Sequence, residues 1–238
     1  MNVVITGGSK GIGKGMALEF LKRGHSVAIC SRGQKDIDAT IDELNEHTAN
    51  GQIICGTSCD VADYAQVQNL WDFANDKMAS VDIWINNAGR DGLKMEFADL
   101  PHKDFCMTVD TNVTGMMNCC HVAIKGMNSQ TAGGRIFNME GFGSDGMTRA
   151  RLGVYGSTKY GLRYFTKTLV KECEDTRIKM CYLSPGMVVT DLLVPPPEQR
   201  DADWEKSKKV LNILADTVET VTPYLVDGVL AAEKNGDA

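Results

Sequence analysis

A tyrosine and a lysine stand four residues apart in "YGSTK", as Tyr155 and Lys159. The apolar pattern of residues 154–173 predicts a helix, so both side chains lie on one helix face near its start. A free tyrosine has a pKa of about 10, which must fall by about three units before it exchanges a proton near neutral pH. A neighbouring ammonium group shifts the pKa in that direction. The pair is therefore a candidate for proton transfer, although this spacing also occurs by chance in surface pairs.

A glycine-rich loop, "TGGSKGIG" at Thr6–Gly13, lies between the first predicted strand and the first predicted helix. Gly7, Gly11 and Gly13 let the backbone turn tightly and approach a ligand. The N-terminus of the following helix offers free N–H groups and a positive dipole end to a pyrophosphate. The spacing is GxxxGxG rather than GxGxxG, but the strand, turn and helix have the order of a dinucleotide-binding unit.

The second predicted strand ends in "AICSRG", which puts Ser31 and Arg32 where an NAD site usually has an acidic residue. An arginine there pairs with the 2′-phosphate of NADP(H), which a carboxylate would repel. Lys10, inside the glycine loop, adds a second cation. Both cations are also compatible with a solvated surface, but beside the glycine loop they favour NADP(H) as the cofactor.

Short apolar runs alternate with helical patterns along the whole chain. This order predicts an α/β fold of a single domain, residues 1–238, with a Rossmann-type doubly wound parallel sheet of about six strands and helices on both faces. The strands are predicted in "NVVIT", "HSVAIC", "QIICGTSCDV", "VDIWINNAG", "GRIFNM" and "RIKMCYLSPG". Helices are predicted over Gly13–Arg23, Asp36–His47, Asp63–Met78, Asp104–Lys125 and Val154–Cys173.

A proline- and charge-rich segment, residues 191–210, follows the sixth predicted strand. Open α/β sheets bind their ligands at the carboxyl ends of the strands, which is where this segment begins. We expect a mobile flap over the substrate, with a plain surface loop as the alternative.

The composition is ordinary for a soluble globular protein, with 43% hydrophobic and 24% charged residues and a net charge of −6. The acidic balance argues against a nucleic-acid partner. No run approaches the roughly 18 apolar residues of a membrane span, and no leader or transit segment is evident, so we expect a cytoplasmic protein. The eight cysteines and four histidines lack zinc-site spacing, so no metal is predicted.

Six motifs follow one another in the order of the short-chain dehydrogenase/reductase family, which the sequence resembles over nearly its whole length. They are "TGGSKGIG", "CDV", "NNAG", "NVTG", "YGSTK" and "SPGMVVT". The resemblance implies that Tyr155 gives or takes the proton, assisted by Lys159 and the positive nicotinamide ring. It also implies that Lys159 binds the nicotinamide ribose and that Asn112 anchors a water relay.

The same resemblance implies an extended cofactor site, which includes the glycine loop and the strand ends described above. Asp60 and Val61 would lie beside the adenine, and Val188 and Thr190 would hold the nicotinamide carboxamide. The expected cofactor-binding residues are Gly7, Ser9, Lys10, Gly11, Ile12, Gly13, Ser31, Arg32, Asp60, Val61, Asn87, Ala88, Gly89, Tyr155, Lys159, Pro185, Gly186, Val188 and Thr190.

The loop "NMEGFGSDG", residues 138–146, departs from the family pattern. The family usually has a serine pair directly after this strand, and the second serine hydrogen-bonds the substrate carbonyl. Here those positions hold Glu140 and Gly141, and the nearest hydroxyl belongs to Ser144. We expect Ser144, or a backbone N–H of residues 141–143, to polarise the carbonyl. A carboxylate would repel a developing oxyanion, so Glu140 is expected to orient the substrate or a loop.

This altered loop, followed by "YGSTK", "LSPGMVVTDLL" and "LNILAD", resembles the chlorophyll(ide) b reductase branch of the family. The resemblance implies NADPH-dependent reduction of the 7-formyl group of chlorophyll(ide) b to hydroxymethyl. The substrate would then be an apolar carbonyl compound such as a tetrapyrrole.

Two alternatives stay open. One is a short-chain reductase or dehydrogenase of another ketone, sugar or steroid, and the other is a catalytically inactive NADP-binding regulator. The family resemblance also implies a homodimer or homotetramer that pairs the helices after the fourth and fifth strands.

Overall fold

Six parallel strands form one sheet in the computed structural model, which describes residues 1–49, 51–194, 200 and 202–237. The strand order is β3-β2-β1-β4-β5-β6, the doubly wound order that the sequence predicted. The strands are β1 Asn2–Thr6, β2 Ser26–Ser31, β3 Ile54–Ser58, β4 Ile83–Asn86, β5 Gly134–Met139 and β6 Ile178–Leu183.

Helices cover both faces of this sheet. Their bounds are α1 Gly11–Lys22, α2 Gln34–Asn45, α3 Tyr64–Met78, α4 His102–Val109, α5 Gly115–Ser129, α6 Gly153–Glu172, α7 Ala202–Leu214 and α8 Val218–Ala231. A short 3₁₀ helix, Phe97–Asp99, precedes α4. Four of the five predicted helices match within two residues at each end, which is the usual spread of helix boundaries.

The helical stretch predicted around Asp104–Lys125 is confirmed, but it is not one regular helix. It is α4 and α5 joined by a π-helical turn, Asp110–Thr114. A π turn inserts an extra residue into the helix and often marks a functional site. Here it carries Asn112, which is only 2% exposed.

Two apolar layers hold the helices on the sheet, because the central strands are buried on both faces. On one face, α3, α5 and α6 pack around a stack of Trp71 on Trp84, with ring centroids 5.9 Å apart. On the other face, α1, α2 and α8 pack around fully buried residues such as Phe20 and Ile85. Burial on both sides explains why β1 and β4 read as continuous apolar runs rather than alternating ones.

The order in which strands are added to the sheet reverses between β1 and β4, although all the strands are parallel. The strand β1 pairs with β2 on one side and with β4 on the other. The loops that leave β1 and β4 therefore diverge and open a crevice at their carboxyl ends, where ligands of such sheets bind. The crevice lies beside the glycine loop and the "NNAG" motif.

The predicted flap, residues 191–210, is described only in part, because residues 195–199 and 201 lie outside the described residues. Before them, the N–H groups of Leu193 and Val194 both donate to the Thr190 carbonyl at 2.9 Å. After them, α7 runs to Leu214, and Ile213 in its last turn is 81% exposed. The flap and its closure stay predictions, as does the single domain.

Candidate active site

The predicted site residues lie at strand ends, in loops, at helix starts or in the π turn, along the carboxyl edge of the sheet. The glycine loop joins β1 to α1, Ser31 ends β2, and "NNAG" follows β4. Tyr155 and Lys159 lie in the first two turns of α6. The remaining predicted residues follow β2, β3, β5 and β6 or occupy the π turn: Arg32, Asp60, Val61, Asn112, Ser144, Pro185, Gly186, Val188 and Thr190.

The glycine loop is folded too tightly for side chains at two of its glycines. Gly7 has a positive φ of 65°, and a methyl group on Gly13 would lie 2.3 Å from the Gly7 carbonyl oxygen. The Asn87 amide donates to the carbonyls of Thr6 and Gly7 at 2.9 and 3.0 Å, which ties this loop to the one after β4. The result is a narrow backbone cradle of the kind that admits a pyrophosphate.

The start of α1 gives that cradle its donors. Lys10 is the N-cap residue, and no side chain in the described part of the chain caps the helix there. The first N–H groups of α1 therefore lack a side-chain acceptor, as a phosphate-binding helix start requires. On the far side of the cradle, a methyl group on Gly11 would lie 3.5 Å from Thr190, so the loop after β6 faces the glycine loop.

The ends of β2 and β3 form the edge where the adenosine half of a dinucleotide is expected. The N–H of Cys59 donates to the Ser31 carbonyl at 2.8 Å, which brings Asp60 next to the end of β2. Arg32 and Lys10 are both exposed. Both cations are thus accessible to a 2′-phosphate, and the residues present fit a nicotinamide dinucleotide.

Lys159 is buried against the loop after β5. The residue is only 5% exposed, and its Nζ donates to the Met139 carbonyl at 3.0 Å. The same Nζ lies 5.9 Å from the centroid of the Tyr155 ring. A methyl group on Gly141 would lie 2.4 Å from the Tyr155 hydroxyl and 3.2 Å from the Lys159 Cε. Tyr155, Lys159 and the backbone at Gly141 therefore form one close-packed unit.

Burial shifts the pKa values of Tyr155 and Lys159 in opposite directions. Burial, followed by the charge of Asp91, raises the pKa of Tyr155 to about 12. Burial lowers the pKa of Lys159 to about 8, and the carboxylate of Glu140 opposes that change. The fall in the Tyr155 pKa that the sequence predicts involves the oxidised cofactor as well as Lys159, and it stays a prediction. At a pKa of about 12, Tyr155 is protonated throughout the physiological range.

Asn112 is fixed by hydrogen bonds to two elements. Its Oδ1 accepts from the Arg90 N–H, and its Nδ2 donates to the Arg90 carbonyl, both at 2.8 Å. The Nδ2 also lies 3.0 Å from the Thr158 hydroxyl on α6. The π turn, the loop after β4 and α6 are thereby joined behind the tyrosine. The water relay implied for Asn112 stays a prediction.

The Ser144 hydroxyl lies inside the altered loop. Its Oγ accepts from the Gly141 N–H at 3.1 Å, and the Ser144 N–H donates to the Gly141 carbonyl at 3.0 Å. The residue is only 5% exposed. The Gly141 N–H is therefore already used within the loop, while the Ser144 proton can still be donated. Its catalytic role stays a prediction.

The Glu140 side chain contacts the loop after β6 and the helix α6. It accepts a hydrogen bond from the Ser184 hydroxyl at 2.5 Å, and its other oxygen lies 3.3 Å from the Arg163 Nε. Ser184 directly precedes Pro185 and Gly186. Glu140 thus joins the loops after β5 and β6, in line with the expectation that it orients a loop.

The loop after β6 is held from its other side by the residues after α7. The N–H of Val189 donates to the Asp216 carbonyl and the Asp216 N–H donates to the Met187 carbonyl, both at 2.9 Å. Val188 itself is 5% exposed and packs into the core. The segment that is predicted to hold the nicotinamide carboxamide is therefore anchored at both ends.

The structure adds three residues that sequence reasoning did not assign to the site. Thr6 accepts from the N–H groups of Asn87 and Ala88 through its hydroxyl, and Thr158 bonds Asn112. Thr6 could have been recognised because it ends an apolar strand, and Thr158 because it lies three residues after Tyr155. Asp91 is the third, and it had no signal, because an acid in "GRDG" is typical of a turn.

A cavity of about 390 Å³ lies beside the altered loop. Tyr155 and Lys159 are not among its lining residues, so it adjoins the catalytic unit without being part of it. Phe142, Met147, Leu152 and Tyr160 give it an apolar wall.

The described part of the chain contains no cluster of side chains suited to hold a metal ion. All eight cysteines are free thiols, most of them buried. Within the same residues, none of the helices has the length and apolarity needed to cross a membrane.

Comparison with known proteins identifies similar sequences. A profile described as short chain dehydrogenase matches residues 1–201. The chain is 40% identical over 238 residues to "Chlorophyll(ide) b reductase NOL, chloroplastic" of Oryza sativa subsp. japonica. The alignment covers 98% of this chain and 68% of that protein. The protein of the same name from Arabidopsis thaliana is 38% identical over 239 residues, 99% of this chain and 67% of its own length. Because both names include a chloroplast location, the expected cytoplasmic location stays a prediction.

Solved structures share the fold. An actinorhodin polyketide ketoreductase variant with NADPH superimposes with a TM-score of 0.84 and 27% identity, over 99% of this chain and 93% of that one. A serine dehydrogenase complexed with NADP⁺ gives a TM-score of 0.85 at 23% identity, a likeness of fold alone.

Proposed function

We propose that this chain, which belongs to the short-chain dehydrogenase/reductase family, is an NADPH-dependent reductase of an aldehyde on a large, flat, apolar substrate. The observation that carries the proposal is the close-packed unit of Tyr155, Lys159 and the Gly141 backbone at the carboxyl edge of the sheet. It combines a proton donor with a buried cation beside the crevice that fits a dinucleotide.

NADPH would be held by the chain's own groups from both ends. The backbone cradle of the glycine loop and the free N–H groups of α1 would bind the pyrophosphate. Arg32 and Lys10 would pair with the 2′-phosphate, which accounts for NADP(H) over NAD(H). When bound, the cofactor supplies the hydride that the carbonyl carbon accepts.

Tyr155 would give the proton. With a pKa raised to about 12, its hydroxyl carries the proton that a carbonyl oxygen needs on reduction. Lys159 stabilises the phenolate that remains, because its ammonium lies over the same ring. Asn112 holds α6 and the loop after β4 in fixed positions, and it would anchor the water relay that returns a proton to this pair.

The carbonyl oxygen would be polarised from the altered loop. The Ser144 hydroxyl is the donor we propose, because its Oγ accepts from Gly141 and its proton is left to donate. The backbone N–H groups of Phe142 and Gly143 are the second source of donors.

The 7-formyl group of chlorophyll(ide) b is the substrate we propose. The names of the two plant relatives support it, as does the apolar surface around the site. Exposed large apolar side chains follow β4, β5 and β6, on the edge that carries Tyr155: Leu93, Met95, Phe97, Phe142, Met147, Met187, Val189 and Leu192. A ring system larger than the crevice could rest on these side chains.

The experiment is NADPH turnover with chlorophyllide b, followed through the absorption spectrum of the pigment. We expect the spectrum to lose the contribution of the formyl group as NADPH is consumed. Turnover of simple ketones, sugars or steroids without any change in the pigment would instead favour another substrate. Tight NADPH binding without turnover of any aldehyde, ketone, sugar or steroid would favour the regulator.

We also propose a homodimer or homotetramer assembled through α5 and α6. Tyr160 and Tyr164 on α6 are 60% and 75% exposed, and Met117 on α5 is 40% exposed. Light scattering over a hundredfold range of concentration, roughly 1 to 100 μM, should give a mass of at least two chains. A single-chain mass throughout would contradict this assembly.

A further inference from the structure

Glu140 stands in the loop on which Lys159 rests. The Lys159 Nζ donates to the carbonyl of Met139, and a methyl group on Gly141 would lie 3.2 Å from the Lys159 Cε. The lysine therefore spans the backbone on both sides of Glu140. Any carboxylate charge at position 140 acts on a buried ammonium whose environment contains little water to screen it.

The Glu140 carboxylate is itself fixed in place. Its side chain is 14% exposed, one oxygen accepts from the Ser184 hydroxyl, and the other faces the Arg163 Nε at 3.3 Å. The Glu140 N–H donates to the Leu183 carbonyl at 2.8 Å, which continues the pairing of β5 with β6. A charge that is largely buried is screened by water less than the charge of an exposed surface glutamate.

We propose that Glu140 is a positioning residue that keeps the buried Lys159 protonated at neutral pH and locks the Ser184–Gly186 turn against the loop after β5. The proposal rests on the proposed function for its consequence, which is a charged lysine at the catalytic tyrosine. It also gives a physical reason for an acid where the family pattern has a serine.

The electrostatics agree with this geometry. Burial lowers the pKa of Lys159 to about 8, although the charge of Glu140 acts in the opposite direction. Without the carboxylate, the lysine would lose its proton at a lower pH. The other titratable or charged groups that face this unit come from three elements: Tyr155 and Arg163 on α6, Asp91 after β4 and Tyr182 on β6.

The sign of the pH effect follows from linkage. The pKa of Lys159 is about 8 in the folded chain, below its value of 10.5 in an unfolded chain. The unfolded state therefore binds more protons between these two values, and stability rises with pH across that window. A variant in which the folded pKa is lower still must begin this rise at a lower pH.

The first experiment measures this rise without cofactor or substrate. Urea unfolding is followed from about pH 6.5 to about pH 10 for the wild type, Glu140→Gln, Ser184→Ala and Lys159→Met. We expect the rise in Glu140→Gln to begin about one pH unit lower than in the wild type. Ser184→Ala keeps the charge and should begin its rise where the wild type does, and Lys159→Met should lose the rise.

A second variant keeps the proposal testable if Glu140→Gln does not fold. Arg163→Gln removes the cation that partly neutralises Glu140, so the rise should begin at a higher pH than in the wild type. An unchanged onset in Glu140→Gln, or in Arg163→Gln, would overturn the proposal. A shifted onset in Ser184→Ala, equal to that of Glu140→Gln, would also overturn it, because the hydrogen bond rather than the charge would then be responsible.

The second experiment measures the pH profile of kcat/KM with the best aldehyde substrate. In Glu140→Gln, the alkaline limb of the kcat/KM profile should move to lower pH by about as much as the onset of the stability rise does. In Glu140→Asp, which keeps the carboxylate, the limb should return toward its wild-type position. A wild-type limb in Glu140→Gln would contradict the proposal. If no aldehyde is turned over by the wild type, the proposed function fails, whereas the unfolding experiment still tests Glu140 on its own.

Discussion

The two walls of the crevice are built in different ways. The cofactor wall, formed by the loops after β1 to β4, is mostly backbone: tight glycine turns and helix N–H groups, which the side-chain amide of Asn87 holds through two carbonyls. The substrate wall, formed by the loop after β5 and by α6, depends on buried side chains whose protonation is shifted by their surroundings. The first wall requires positions without side chains, whereas the second requires particular side chains in close contact.

This difference separates two kinds of mutational effect. A change on the cofactor wall should alter the affinity for NADPH and leave the chemical step intact. Conversely, a change on the substrate wall should alter kcat and leave NADPH affinity almost unchanged. A variant that alters NADPH affinity and kcat equally would show that the two walls act as one unit.

The largest effect is expected for Tyr155→Phe. Removing the hydroxyl deletes the proposed proton donor while keeping the ring over Lys159, so kcat should fall by about 10³ or more. The dissociation constant for NADPH, measured by fluorescence titration, should stay within about threefold of the wild type, because the cradle is untouched. A kcat within about tenfold of the wild type would remove Tyr155 from the mechanism.

Gly141→Ala should be the next most damaging change. The added methyl group would lie 2.4 Å from the Tyr155 hydroxyl, so the phenol must move. A displacement of this kind costs about 10² in kcat. The control is Gly161→Ala in α6, where a methyl group meets nothing within 4 Å, and which should leave kcat unchanged. Steady-state assays of both variants decide whether the close packing at Gly141 matters.

The sequence predicted the fold and the crevice, but not the protonation of the substrate wall. Glycine spacing, apolar strands and the position of Arg32 depend on local geometry, so the fold and the crevice could be predicted from "TGGSKGIG" and "AICSRG". The pKa of Tyr155 could not, because burial and Asp91 act through tertiary contacts. The π turn at Asn112 and the partners of Glu140 likewise arise only when α6, β5 and β6 meet.

Arg32→Ala tests the cofactor wall itself. Loss of a charge-assisted pair with the 2′-phosphate should raise the KM for NADPH about tenfold, with little change in kcat. The KM for NADH, which lacks that phosphate, should stay the same. The control is Lys77→Ala, which removes an exposed cation at the end of α3 and should affect neither cofactor. Equal effects on NADPH and NADH would remove Arg32 from phosphate recognition.

An effect as small as that of Arg32→Ala, but on kcat, is expected for Ser144→Ala. It shows how far the substrate wall depends on side chains. The change removes the acceptor of the Gly141 N–H, which should lower the free energy of unfolding by about 1 kcal/mol. It should also lower kcat about tenfold, which is less than the loss of a sole oxyanion donor, because the N–H groups of residues 142 and 143 remain. Ser129→Ala, at the exposed end of α5, is the matched control. If kcat is unchanged while stability falls, Ser144 only supports the loop, and the backbone polarises the carbonyl, as it forms the cradle on the opposite wall.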